Sequence, residues 1–320
     1  MKAMQHNIIH TSNYGLCLFS MNTMKAFLKE EGLISRKPLV LLQKSKNIFL
    51  NSIKTGAWFP IPEIDSVGYA LSVEGFDEPF DDLWEELFFY DGFNLEVENG
   101  VWVSDIGAFM DFDPAKYEGE GQEIKGSYGI VQYNSSSIRW HKDMNGTLSN
   151  SDIWYDVPAG KYLVSIRGYA RKEAGKEARK AGEVNSGFRF SFVKTEDFKQ
   201  CRNPRETDDY EFNTEWLRTS WPGTVYWLPK KESGIKWPIR EPWLKKSLVL
   251  LLEDGRKWNL RIKFASADTE QEGVTRCRVT RGVLAPKDFS LESGKEYRIY
   301  ECEKKRSKEK LTELGRLVLS

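Results

Sequence analysis

Between residues 162 and 169 the chain alternates. Tyr162, Val164, Ile166 and Gly168 fall on one side of an extended backbone, and Leu163, Ser165, Arg167 and Tyr169 on the other. A period of two marks a strand with one buried face. The same signal recurs at 67–73, which Gly75 ends, and at 188–193, where aromatic and polar residues alternate. Further strands are expected at 87–90, 93–97 and 101–104. The dipeptides Asp91-Gly92 and Asn99-Gly100 separate these three and supply the positive backbone angles of tight turns. Together they predict a three-stranded antiparallel meander. Pro158-Ala159-Gly160 predicts a hairpin between 154–157 and 162–169, and strands are also expected at 128–133 and 137–140. The charged stretch 171–183, with two glycines, is expected as a solvated hairpin loop, the alternative being a basic arm that reaches a partner.

Helix is sparse in this pattern. Asn22 can cap a helix through Glu31, with Gly32 placed to end it. The apolar pieces 39–42 and 48–50 are too short for periodicity to separate strand from buried helix. One turn of amphipathic helix around Trp84 and Leu87 also fits the pattern. The fold class expected is therefore mainly β. Residues 1–60 form an amino-terminal segment with a short helix, and 61–200 an acidic antiparallel β-sandwich or barrel. A Trp/Pro-rich junction covers 201–245, and a basic β-barrel 246–320, whose first strand could begin near 225. The junction is too aromatic for a flexible linker, and a tryptophan-lined groove is the alternative to plain packing.

The chain has 320 residues, 40% hydrophobic and 29% charged, with formal net charge zero. That total hides a strong separation. Lys and Arg less Asp and Glu gives +6 for 1–60, −17 for 61–160, +3 for 161–224 and +8 for 225–320. Local fields, rather than the total, select partners and steer encounters. Two readings follow: an acidic part that docks on a basic one in the same molecule, or two surfaces with separate partners. The acidic maximum is 77–86, with Asp77, Glu78, Asp81, Asp82, Glu85 and Glu86. The four cysteines, Cys17, Cys201, Cys277 and Cys302, form no CxxC pair, which argues against a zinc knuckle or a dense disulfide framework. Residues 14–21 are too short and polar-edged for a signal peptide, so a cytoplasmic protein is expected. Met21 and Met24 are alternative starts.

From Trp227 onward an ordered set of features resembles the plant-type B-three DNA-binding domain, whose pseudobarrel also serves as the effector domain of some bacterial restriction endonucleases. Leu228-Pro229-Lys230-Lys231 is similar to its early leucine-proline-lysine-lysine. Residues 250–254, Gly255 and Trp258 are similar to its apolar strand, acidic turn, glycine and tryptophan. Thr280-Arg281-Gly282, then Phe289, Leu291 and Gly294, follow in the family's order. The resemblance implies a B-three-like pseudobarrel and DNA as partner. Val283 and Lys295 depart from the family's tryptophan and aspartate. The segment matching its base-reading arm, 265–273, carries Asp268, Glu270 and Glu272, which a phosphate backbone repels. The implied contacts are therefore to phosphate, from Lys230, Lys231, Lys245, Lys246, Arg276, Arg278 and Arg281.

Catalytic motifs are few. No nucleophile elbow, phosphate loop, HExxH or dinucleotide glycine fingerprint is present. His6 and His10 have helical spacing but no carboxylate between them, and their stretch is expected to be disordered. His141 is expected in a loop role at a strand end. The one enzymatic pattern is Asp111 and Asp113 followed by Glu123-Ile124-Lys125, similar to a metal-dependent nuclease core in which carboxylates hold Mg²⁺. The leading expectation is a non-enzymatic nucleic-acid-binding protein, with the acidic domain as a gate. The alternative is an immunity-type inhibitor whose acidic domain, through 77–86, binds a basic toxin or nuclease. A metal-dependent nuclease is third. No cofactor and no resident metal are expected.

Overall fold

The computed structural model describes residues 6–11, 15–33, 37–112, 117, 123–125, 131–134, 138–142, 148–172, 184–206, 210–234, 248–251, 257–264, 273–281, 291–305 and 308–320. These residues are mainly strand, and none of their helices is long and apolar enough to cross a membrane. The chain divides into two compact units. One is Met1–Arg205 with Phe212–Glu215, the other Glu206–Glu211 with Trp216–Ser320.

The first unit holds two sheets. In the five-stranded sheet, β1 (Asn7–His10), β4 (Gly68–Val73), β5 (Trp84–Val97), β11 (Gly160–Arg171) and β12 (Ser186–Thr195) take the order β1-β4-β12-β11-β5. All neighbours are antiparallel except β12 and β4. The seven-stranded sheet comprises β2 (Leu16–Phe19), β3 (Trp58–Ile61), β6 (Val101–Asp105), β7 (Glu123–Lys125), β8 (Val131–Asn134), β9 (Ile138–Lys142) and β10 (Leu148–Tyr155). Its order is β3-β2-β6-β10-β9-β8-β7. Phe59 of β3 stacks on Phe93 of β5 with ring centres 4.3 Å apart, so aromatic packing joins the sheets.

Residues 1–60, expected to be a segment with one short helix, supply three strands and three helices. The stretch expected to be disordered holds strand β1, each residue from Asn7 to His10 pairing with β4, while the His6 ring packs on Phe80. The helices are α1 (Met21–Glu30), α2 (Pro38–Lys44) and α3 (Lys46–Lys54), so both short apolar pieces are helical. Pro38 begins α2, where its missing N–H costs nothing, and the Ser45 hydroxyl accepts from the Ile48 N–H to start α3. Met24, Phe27, Leu42 and Phe49 pack with Phe19, Trp58 and Trp102 in one buried cluster. Within it the Trp58 indole donates to the Ser52 hydroxyl at 2.8 Å, which donates to the Phe49 carbonyl at 2.6 Å.

Three predicted turns are not turns between paired strands, and Asn99-Gly100 leads from β5 to β6, which lie in different sheets. Asp91-Gly92 lies inside the single strand β5, as a bulge opposite β11, and Gly92 takes φ +78° there. The ladder to the twelve-residue β11 resumes on both sides of the bulge, so the meander does not form. Pro158-Ala159-Gly160 likewise links sheets: β10 pairs with β6 and β9, whereas β11 pairs with β5 and β12. The 171–183 stretch does join two strands of one hairpin, β11 and β12, although 173–183 lie outside the described residues. Residues 74–83 lead into β5 without a helix.

Among the described residues the second unit has six strands: β13 (Trp221–Trp227), β14 (Leu248–Leu251), β15 (Lys257–Phe264), β16 (Val274–Arg281), β17 (Glu296–Lys305) and β18 (Lys308–Leu319). Their order, β13-β16-β15-β14-β17-β18, returns to β13, which bonds to β16 on one side and β18 on the other. Val225, Trp227, Leu250, Trp258, Ile262, Val279, Ile299 and Leu317 fill its interior. The charged end of β17 and start of β18 form an antiparallel ribbon, paired as far as Lys305 with Lys308. Such a ribbon needs no apolar face to satisfy its backbone, so polar sequence does not preclude it.

Candidate nucleic-acid interface

Alternation fixes which side chains leave the barrel. Along β13 Val225 and Trp227 are buried, whereas Tyr226 between them is 47% exposed. On β18 Leu317 is buried and Arg316 is exposed, and on β17 Ile299 is buried and Arg298 is exposed. Register then sets these outward residues side by side: Tyr226 stands opposite Arg316, and Arg316 opposite Arg298. On the far side of β13, Tyr226 faces Val274 of β16 and Thr224 faces Arg276. Arg276 is exposed and lies diagonal to the tyrosine. Directly opposed side chains approach within about 4.5–5.5 Å at Cβ, and diagonal ones within about 8 Å. Arg276 and Arg316 thus flank one exposed aromatic residue, and Arg298 stands one strand beyond Arg316.

Acids accompany this row. Arg316 pairs with Glu296 at 3.3 Å, both more than half exposed, a contact that solvent screens. Hydrogen bonding with the Tyr300 phenol, then the Glu313 carboxylate, raises the Arg298 guanidinium above its ordinary value. Arg298 therefore stays cationic at any physiological pH.

The sequence-predicted set divides on placement. Lys230 and Lys231 are exposed in α5 (Lys230–Ser233), the turn that follows β13. Arg276 is exposed on the barrel wall. Arg278 is committed elsewhere: its Nε donates to the Ser220 hydroxyl at 2.7 Å, and its Nη2 to the carbonyls of Leu217 at 2.9 Å and Ser220 at 3.3 Å. It closes the C-terminal end of α4 (Thr214–Thr219), where unpaired carbonyls favour a cation. Phosphate would have to displace three bonds, which removes Arg278 from the set. Arg281 ends β16 opposite Leu260, and its side chain is outside the described atoms. Lys245 and Lys246 lie outside the described residues, as does most of the 265–273 arm. Sequence reasoning missed Tyr226, Arg298 and Arg316. The Val225-Tyr226-Trp227 alternation was visible, but the pairing that sets Arg316 beside Tyr226 is not local.

The acidic run 77–86 is partly consumed by its own fold. The Asp77 carboxylate accepts from the Val73 N–H at 3.0 Å, and Asp81 from the Leu83 N–H at 3.0 Å. Both carboxylate oxygens of Glu86 accept from Arg167 Nη1, at 2.8 and 2.9 Å, and Oε2 also from the Tyr169 hydroxyl at 3.2 Å. Glu78, Asp82 and Glu85 are exposed. Beside them Phe80 sits over Gly187, against Tyr169, Trp84 and His6, with ring centres 4.5 Å from Tyr169, 4.7 Å from Trp84 and 4.5 Å from His6. Burial there lowers the His6 pKa, against the pull of Asp77 and Asp81.

Of the nuclease pattern, Asp113 lies outside the described residues, and only the backbone is described for Asp111, Glu123 and Lys125. Asp111 ends a 3₁₀ turn, whereas Glu123 and Lys125 lie on β7, a three-residue strand at the sheet edge. His10 pairs opposite Gly68, and His141 lies on β9 opposite Ser149. Among the described residues no group of three His, Cys, Asp or Glu is placed to hold a metal.

One polar cluster had no sequence signal. The Asp152 carboxylate, fully buried on β10, accepts from the hydroxyls of Ser104, of Ser151 at 2.6 Å and of Tyr117 at 3.3 Å. Across the ladder Ser104 faces both Asp152 and Cys17. Burial, then Asp105 and Asp152, pushes the Cys17 thiol well up, the opposite of what an activated nucleophile requires. The row is structural.

No family model, curated protein or solved structure matches this chain.

Proposed function

We propose that the protein binds nucleic acid through the outer wall of its basic barrel, without catalysis. The observation that carries this reading is the Arg276–Tyr226–Arg316–Arg298 row, three exposed cations and one exposed aromatic residue across four paired strands. Arginine on a strand is preorganised for phosphate, because its planar fork needs little further ordering. Lys230 and Lys231 extend the positive surface. On this reading the second unit is a B-three-like pseudobarrel and the first a β-sandwich whose acidic charge gates access. Phosphate contacts of this kind set position and carry no base sequence.

Charge reversal tests it. In the full chain, Arg298→Glu with Arg316→Glu is expected to abolish binding of a fluorescent oligonucleotide at low salt. Arg278→Lys is expected to change it little. Binding unaffected by the double reversal would refute the assignment.

A further inference from the structure

Resting on the reading just proposed, we infer that the barrel wall takes single-stranded nucleic acid, with an unpaired base stacked on Tyr226. A duplex offers a tyrosine only base edges and phosphates, because its ring faces are stacked on one another. A single strand leaves those faces open, and stacking on an aromatic side chain contributes about 1–3 kcal/mol per base. Tyr226 is placed for this. The residue is 47% exposed on a strand whose neighbouring side chains point into the core. Its opposite neighbours are Val274 on one side and Arg316 on the other, so nothing bulky and apolar buries it.

The cations fit a backbone running across the strands. Arg276 lies on one side of the tyrosine, Arg316 and then Arg298 on the other, each a strand further along. At about 4.8 Å per strand, the row from β16 to β17 spans about 14 Å. A flexible single strand can follow that curved wall, lay phosphates against the arginines and turn one base onto the ring. Phosphate at Arg316 would have to displace Glu296, a single contact at 3.3 Å between side chains more than half exposed, which solvent already screens. The chemistry recognised is an unpaired base on a phosphodiester backbone, which single-stranded DNA and RNA share.

The experiment uses the full chain with three fluorescent probes at low salt: oligothymidine, oligouridine and a mixed-sequence duplex. Wild type is expected to bind a single strand at least about tenfold more tightly than the duplex. Tyr226→Ala and Tyr226→Thr are expected to weaken single-strand binding about 5- to 100-fold. Tyr226→Phe should retain it, and duplex binding should not respond. The relative affinity of the two single strands reports whether the 2′-hydroxyl contributes. Photocrosslinking of a bromouracil-containing strand should mark the β13 peptide, a readout independent of the variants. Single-strand binding that ignores Tyr226→Ala but is lost in Arg298→Glu/Arg316→Glu would overturn the stacking inference and leave the proposed function standing. No affinity for any probe would overturn both.

Discussion

The ammonium of Lys263 meets the carboxylate of Glu211, and the pair is nearly out of water, with side chains 9% and 14% exposed. Lys263 projects outward from β15, directly opposite Arg278 on β16. Glu211 and residues 216–220 of the same unit therefore cover this part of the wall, Glu211 taking the lysine and Ser220 and Leu217 the arginine. The basic wall is divided: one part is neutralised by its own chain, and the part around Tyr226 faces solvent.

Breaking that pair from one side is expected to cost more than removing it. Lys263→Met takes away the ammonium that faces the largely buried Glu211 carboxylate, a loss of about 3–5 kcal/mol. Lys263→Met with Glu211→Leu removes both charges, and most of the loss should be recovered. Urea unfolding followed through tryptophan fluorescence checks this. Equal losses in the single and double variants would show that the pair is solvated.

Gly315 tests the closure of the barrel. A Cβ there would fall inside contact distance of the Tyr226 carbonyl oxygen, a backbone atom that cannot rotate away. Gly315→Ala is therefore expected to pry β18 from β13 and cost about 1–3 kcal/mol. Hydrogen exchange at Val225 and Leu317, which face each other across that seam, should accelerate selectively. Unchanged protection there would mean that the seam does not close as described.

Cys277 gives a prediction in pH. Burial pushes its thiol from 9.0 up to about 12, so the folded state holds the neutral form. The unfolded thiol ionises first as pH rises, and the unfolded state then binds fewer protons. The stabilising contribution is complete below about pH 9 and is lost from there up to about pH 12, at about 1.4 kcal/mol per pH unit. Cys277→Ala should remove that part of the slope, whatever its effect at neutral pH. In native protein at pH 8, iodoacetamide should label exposed Cys201 well before Cys277. A slope unaltered by the substitution, or equal labelling, would contradict the burial.

His6 carries the opposite sign. Packed on Phe80 and near Trp84, it is held below its ordinary 6.5 by burial. Its contribution to stability is present above pH 6.5 and disappears as pH falls through the folded value. NMR titration of its ring should give a midpoint below that of an unfolded peptide. A midpoint above 6.5 would mean that Asp77 and Asp81 outweigh burial.

Much of this fold was legible where side-chain period was enough. β4, β11 and β12 followed from alternation within a few residues, whereas the helix expected to be capped by Asn22 begins at Met21 after Ser20, with Asn22 inside it. The errors arose where one local signal serves two structures. Asp91-Gly92 supplies a positive φ, which a hairpin turn and a bulge both use, and only the length of β11 decides between them. Pro158-Ala159-Gly160 turns the chain, but toward the other sheet. The site was half legible for the same reason. Arg276 looked available and is, whereas Arg278 looked equivalent but is held by Ser220 and Leu217, some sixty residues earlier. Tyr226, Arg316 and Arg298 come together only when β13, β18 and β17 pair.

The most direct test of the central claim is the salt dependence of oligonucleotide binding by the full chain. Five cations, Lys230, Lys231, Arg276, Arg298 and Arg316, predict a log–log slope of about −3 to −4 on a single strand, since each phosphate contact contributes about −0.7. Removing one of the arginines should make the slope shallower by about one such step. A slope near zero, or one that does not respond to these substitutions, would contradict nucleic-acid binding by this wall.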